Sequence, residues 1–252
     1  MSKGGIWSSI TDNLSFAANA PWKCYVGRKR RVFWLFRDQI ATRSDFLLAQ
    51  MNNSETQELY LEELQPSHFD VFVHWVYHDR LPDGAIEDDG VATHAKTIAL
   101  YSVGHCLKAS SFKNCLIDEY HDLAQVANVD YEDALVPSFQ ELVAVHEAGL
   151  QATDLGVLLL TVYVGYTMKC LKRGYAGGFT DDNAFDKNHA EVYFQVMQMI
   201  GDFLMKRKRI EKMLEKSYHW HEHAEEEEVS CYSEECIAYR EAARQSAKIS
   251  GR

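Results

Sequence analysis

"PSHFDVFVHWVYHDRLPDG", Pro66 to Gly84, is the stretch on which the reading of this chain turns. A dozen residues rich in Phe, Val, Trp and Tyr end at a proline-and-glycine turn. Such a run suits a core helix, the lip of a catalytic pocket, or one face of a protein-binding module. Periodicity favours the helix. Phe69, Phe72, Val73, Val76 and Tyr77 fall at i, i+3, i+4, i+7 and i+8, which is one helical face. Pro66 suits the first turn, where its missing N–H is not needed. Leu81-Pro82-Asp83-Gly84 supplies the stop.

Upstream the pattern changes to short β-branched and aromatic runs. "WKCYV" (Trp22 to Val26) and "RVFWL" (Arg31 to Leu35) flank "GRKR", so the pair reads as a β-hairpin. "RDQIATRSDFLLAQM" follows as one helical segment or two short helices meeting near Arg43-Ser44. A third strand, "QELYL", ends at Leu61.

Downstream, helices take over. "VATHAKTIALYSVGHCLKA" carries an apolar stripe through Ala95, Ile98, Ala99, Ser102 and Cys106. "FKNCLIDEYHDLAQVA" carries another through Phe112, Cys115, Leu116 and Leu123. Ser138 with Glu141 makes a capping box that opens a helix holding Leu142 and Val143. The apolar run Leu155 to Met168 lies between Asp154 and Lys169. It falls short of the roughly 20 residues a membrane span needs, so a buried helix is expected. "KRGYAGGFTDDNAFDKN" reads as a surface loop. A last helix from about His189 turns from apolar (Val192, Val196, Ile200, Phe203) to charged after Met205.

Composition bounds the function. The chain has 252 residues, with 46% hydrophobic and 25% charged, the balance of a globular protein. A formal net charge of −11 argues against broad binding to nucleic-acid phosphates. Two local basic clusters, Arg28-Lys29-Arg30-Arg31 and Lys206-Arg207-Lys208-Arg209, read as solvated turns or helix ends. The amino terminus has no apolar run of secretory length, so a cytoplasmic or nuclear home is expected. Cys24, Cys106, Cys115 and Cys170 sit in apolar patterns, as buried free thiols do.

The order of elements is more telling than any one of them. The hairpin is followed by Arg43, Ser44 and Phe46 at a helix start, then by a strand. Next comes a helix with Phe69, Phe72, Trp75 and Tyr77, then one with Leu100, Tyr101, Gly104 and Leu107. Lys113, Asn114, Ile117 and Asp118 close the series. This arrangement resembles the BTB/POZ domain, most closely its fungal branch. The resemblance implies an α+β fold, a small β-sheet flanked by helices, over residues 21–127. An all-helical extension over 128–215 and an acidic tail over 216–252 follow.

The resemblance also implies a function class. BTB domains are non-catalytic protein-interaction modules that self-associate or recruit partners, some of them to cullin-type ubiquitin ligases. Tyr77, His78 and Arg80 then sit near a surface that many members use for partners. The hydrophobic-x-Glu element that helps some members grip a cullin falls at Met51-Asn52-Asn53, where the acid is missing. Weak or no cullin binding is therefore expected, with Met51 and Asn53 as the residues to change. The His-Lys pair common after the second strand is replaced by Phe36-Arg37.

The chain has no G-x-S-x-G elbow and no phosphate-binding G-x-x-x-x-G-K-[ST]. His146-Glu147 lacks the second histidine of a zinc-protease helix. His68, His74 and His78 read as exposed or hydrogen-bonded surface histidines. The expectation is a scaffold or adaptor with no cofactor, protein partners that include a second copy of itself, and no membrane or nucleic-acid partner. One segment supports an alternative, a metal-responsive protein. His219, His221, His223, Cys231 and Cys236 in "SYHWHEHAEEEEVSCYSEEC" are ligand types suited to zinc, although their spacing is not that of a standard finger.

Overall fold

The computed structural model describes residues 20–88, 91–126, 136–172 and 189–206. It is a mixed α+β chain. Trp22–Val26 (β1) and Arg31–Leu35 (β2) form the expected antiparallel hairpin, and Glu58–Leu61 (β3) adds to β1 in parallel. The sheet order is β2-β1-β3. Between β2 and β3 lie two helices, Arg37–Ile40 (α1) and Asp45–Asn53 (α2), so the two-helix reading of this segment holds. Ser44 causes the break. Its backbone is extended, its hydroxyl caps α2 by accepting from the Leu47 amide at 3.1 Å, and it also donates to the Leu107 carbonyl.

Pro66–His78 (α3) forms as its periodicity demands. It ends at Asp79, whose φ of 57° is left-handed and whose amide donates to the Trp75 carbonyl. Phe69, Phe72, Trp75 and Val76 are buried, whereas Val73 is half-buried and Tyr77 is 36% exposed. Trp75 therefore belongs to the buried face as well, and Tyr77 lies at its exposed edge. The rest of the chain adds a two-residue ribbon, Glu87–Asp88 (β4) with Val91–Ala92 (β5), which the sequence pattern did not show. Helices His94–Cys106 (α4), Ser110–Val126 (α5), Phe139–Glu147 (α6), Asp154–Lys172 (α7) and Ala190–Lys206 (α8) follow.

Contacts divide the chain into two compact units. The first takes the chain through Pro82 plus Val103–Phe112; the second takes Asp83–Ser102 and the chain from Lys113 onward. Helices α4 and α5 each contribute to both units. The boundary expected at residue 127 falls among residues that are not described.

The first unit has one aromatic core. β1 turns Trp22, Cys24 and Val26 inward, β2 turns Phe33 and Leu35, and β3 turns Leu59. Against them lie Phe69, Phe72 and Trp75, with ring centroids of Phe33–Phe69 and Phe72–Phe112 at 5.0 and 5.3 Å in edge-to-face geometry. Gly27 opens the hairpin turn at φ +73° and passes close over the start of α3. A Cβ there would stand 2.9 Å from Pro66 Cδ and Cγ.

In the second unit α6 opens with the expected capping box. Ser138 N donates to Glu141 Oε2 at 2.6 Å, and Glu141 N donates to Ser138 Oγ at 3.3 Å. α7 is bordered by α6 and α8 and buries Leu155, Leu158, Leu159, Val162 and Val164. No helix among the described residues is long and apolar enough to cross a membrane.

Two expected stripes need correction. On α4, Ala95 and Cys106 are exposed, and the buried residues are His94, Thr97, Ile98, Leu100, Tyr101, Val103 and Gly104. That helix is enclosed on most sides, so a single-stripe template misreads it. On α5, Cys115 and Leu123 are half-buried, while Phe112, Lys113, Leu116, Ile117 and Tyr120 form the buried stripe. Of the four thiols read as buried, only Cys24 is fully so. The last helix buries Val192, Val196 and Ile200 as expected; the side chain of Phe203, the fourth residue of that set, lies outside what is described.

Candidate protein-docking surface

The residues proposed from sequence do not converge. Met51 is 2% exposed and belongs to the core of the first unit. A partner cannot reach its side chain without opening that core, which removes the physical basis for reading it as a docking residue. Asn53 is exposed, at the end of α2. His78 and Arg80 are exposed as expected. Between them Asp79 pairs with Arg43 at 2.7 Å, and the Arg43 guanidinium lies 5.0 Å from the Trp75 ring centroid. His74 is half-buried rather than exposed; its ring lies 4.3 Å from that of His78, and among the described residues its Nε2 has no hydrogen-bond partner.

Tyr77 has an internal task. Its hydroxyl accepts from the Phe36 amide and donates to the Trp34 carbonyl, both at 3.2 Å. β2 is an edge strand, and this tyrosine occupies the Trp34 carbonyl within it and the Phe36 amide just past its end. Strand addition along that part of β2 is thereby blocked.

The outer face of the same sheet is a different matter. Side chains alternate along a strand, so inward Trp22, Cys24, Val26, Phe33, Leu35 and Leu59 leave the intervening residues facing out. The register sets them in two rows. Val32, Tyr25 and Tyr60 form one; Trp34, Lys23 and Glu58 form the other. Val32 is 43% exposed, Trp34 52% and Tyr60 52%, and Phe36 continues the patch just past β2 at 45%.

These groups are organised among themselves. The Tyr25 and Tyr60 rings stack with centroids 4.9 Å apart and planes 12° from parallel. Glu58 accepts from the Tyr60 hydroxyl at 2.8 Å and from the Tyr25 hydroxyl at 3.3 Å, and the first of these hydrogen bonds raises the Tyr60 pKa. The Lys23 ammonium lies 5.4 Å from the Trp34 ring centroid. The result is a flat, pre-ordered patch with apolar bodies and polar rims, the composition that protein-binding surfaces favour.

Sequence reasoning missed this face. The apolar run "RVFWL" marks a strand, and both of its faces are apolar. A half-exposed strand should alternate, so Val32, Trp34 and Phe36 beside buried Phe33 and Leu35 were the available signal.

Buried polar groups in the second unit join helices. His94 Nδ1 and Glu141 Oε1 are 3.2 Å apart, linking the starts of α4 and α6. Burial pushes the Glu141 carboxyl up, but hydrogen bonds from His94 and Ser138 outweigh it and hold the pKa low. Lys113 Nζ lies 5.6 Å from the Tyr101 ring centroid. Burial pulls its pKa down to about 8, against an opposing pull from Asp154.

Among the described residues, no group of three or more His, Cys, Asp and Glu is placed to hold a metal. His219, His221, His223, Cys231 and Cys236 lie outside the described residues. Neither the family models searched nor the curated proteins compared match this chain.

Proposed function

We propose that this chain is a non-catalytic protein-interaction module of BTB/POZ type, acting as a scaffold or adaptor. The observation that carries the proposal is the outer face of the three-stranded sheet. Val32, Trp34, Phe36 and Tyr60 stand exposed on one face of the sheet and just past its edge strand, and aromatic side chains gathered on one exposed face are what interaction sites favour. The element order supports the BTB reading. A hairpin, two short helices, a third strand and an aromatic helix follow one another as the resemblance implies. Burial of Met51 and the missing acid at Asn53 speak against cullin recruitment through that element.

The test is affinity capture with quantitative mass spectrometry, comparing wild type with Trp34→Ser/Tyr60→Ser. Both side chains are half-exposed, so their loss should leave the thermal melt nearly unchanged. Specific partners lost from the double variant are expected. The same partner set with both proteins would overturn the assignment of this face.

A further inference from the structure

We infer that the outer sheet face docks a short acidic segment of a partner protein, with an apolar or aromatic anchor between the acids. This rests on the proposed function and adds the chemistry of the partner.

The size of the face points to a segment rather than a second folded copy. Three strands at about 4.8 Å spacing and five residues at about 3.3 Å each span about 240 Å². A standard interface needs about 800 Å² from each partner. An extended peptide of about six residues matches the face. It would lie across the face, because Tyr77 already occupies Trp34 O and Phe36 N at the strand edge.

Charge supplies the sign. The β1–β2 turn carries Arg28, Lys29 and Arg30, and Arg31 opens β2; all four are exposed in a chain whose net charge is −11. Arg30 pairs with Glu62 at 3.2 Å and Arg31 with Asp70 at 3.0 Å. Among the described residues Arg28 and Lys29 make no ion pair, and Lys23 across the face rests on Trp34 rather than on a carboxylate. Glu58, the acid on the face itself, already accepts from two tyrosine hydroxyls. The surplus is therefore cationic, at one end of an apolar surface.

A basic rim with exposed aromatics also describes a single-stranded nucleic-acid platform, but base stacking needs open ring faces. Here Tyr25 and Tyr60 cover each other, Lys23 lies over Trp34, and Arg30 lies 5.6 Å from the Tyr60 ring centroid. A peptide that brings carboxylates to Arg28 and Lys29 and an apolar side chain to Val32 and Trp34 needs no open ring face.

Fluorescence anisotropy on the full chain tests this, with a labelled peptide Glu-Asp-Glu-Phe-Glu-Leu-Asp-Glu as probe. The comparators are its Lys-substituted counterpart and an oligo-uridine strand. The acidic peptide should bind, weaken at least about tenfold with Arg28→Glu/Lys29→Glu, and weaken similarly with Trp34→Ser, since about tenfold per lost charged contact is ordinary. Absence of binding at about millimolar peptide, or tighter binding of the oligo-uridine or Lys peptide, would overturn the inference. So would a wild-type dimer that becomes monomeric with Trp34→Ser, or a more than tenfold gain in affinity when Glu225 to Glu228 are changed to Gln. Those results place a second copy or the chain's own acidic run on the face. If captured partners depend on Trp34 but not on Arg28 and Lys29, the interaction module stands and the acidic chemistry fails.

Discussion

Replacing Lys113 with Met should stabilise the second unit near neutral pH and do so less as pH rises. The Lys113 side chain is buried, at 4% exposure for the residue, and its pKa falls from 10.5 to about 8. At about 1.4 kcal/mol per decade, that fall corresponds to about 3 kcal/mol of cost for burying the charge. Below pH 8 the folded and unfolded chains both carry the proton, so the cost is fully present. Between pH 8 and 10.5 the unfolded chain holds the proton and the folded chain does not, so stability rises with pH. Cys24, whose burial pushes its pKa to about 12, and Tyr101, also raised by burial, act the opposite way. Their thiol and phenol ionise first in the unfolded chain, which lowers stability above their ordinary values. The wild-type curve therefore mixes signs, and the difference between wild type and Lys113→Met isolates the lysine. Met is unbranched and follows the same path without a charge. Urea unfolding followed by helical circular dichroism should show the variant's advantage shrinking by about 2 kcal/mol between about pH 7 and about pH 10. An advantage that is constant across that range would refute the reasoning.

Three further outcomes are expected. Phe72 is fully buried among Phe69, Trp75 and Phe112, so Phe72→Ala should cost about 3–5 kcal/mol; a melt close to wild type would remove it from the core. Gly27→Ala places a Cβ 2.9 Å from Pro66 at a left-handed φ of +73°, so it should lower the midpoint of thermal unfolding, whereas Gly84→Ala, with open space around it, should lower it less. Ser138→Ala removes the hydroxyl half of the α6 capping box, leaving the backbone bond to Glu141, and should cost about 1 kcal/mol in denaturant unfolding, with Ser138→Asp retaining most of the stability.

Much of the architecture was legible because local chemistry and periodicity agreed. The Gly27 turn between two β-branched runs gives a hairpin, Pro66 and the Phe69–Phe72–Val76 spacing give α3, and Ser138 with Glu141 gives the start of α6. Each of these signals depends on residues a few positions apart. The stripes on α4 and α5 were misread for the complementary reason. A helix enclosed on several sides has no single apolar face to detect, so the stripe template takes in the exposed Cys106 and leaves out the buried Tyr101 and Tyr120.

The candidate surface belongs to the same contrast. The sequence by itself determined the three segments that form the main sheet and which residues on each of them share a face. That β3 joins β1 in parallel, and so sets Tyr60 beside Tyr25 and Glu58 beside Lys23, was decided only by tertiary structure. Strand pairing brings together residues more than thirty positions apart, and nothing in either strand encodes its partner's register. Burial followed the same rule: Met51 and Trp34 are both apolar, and only packing put the first at 2% exposure and the second at 52%. A hydrophobic side chain states a preference for leaving water, while the shape of the assembled core decides which side chains find room inside it.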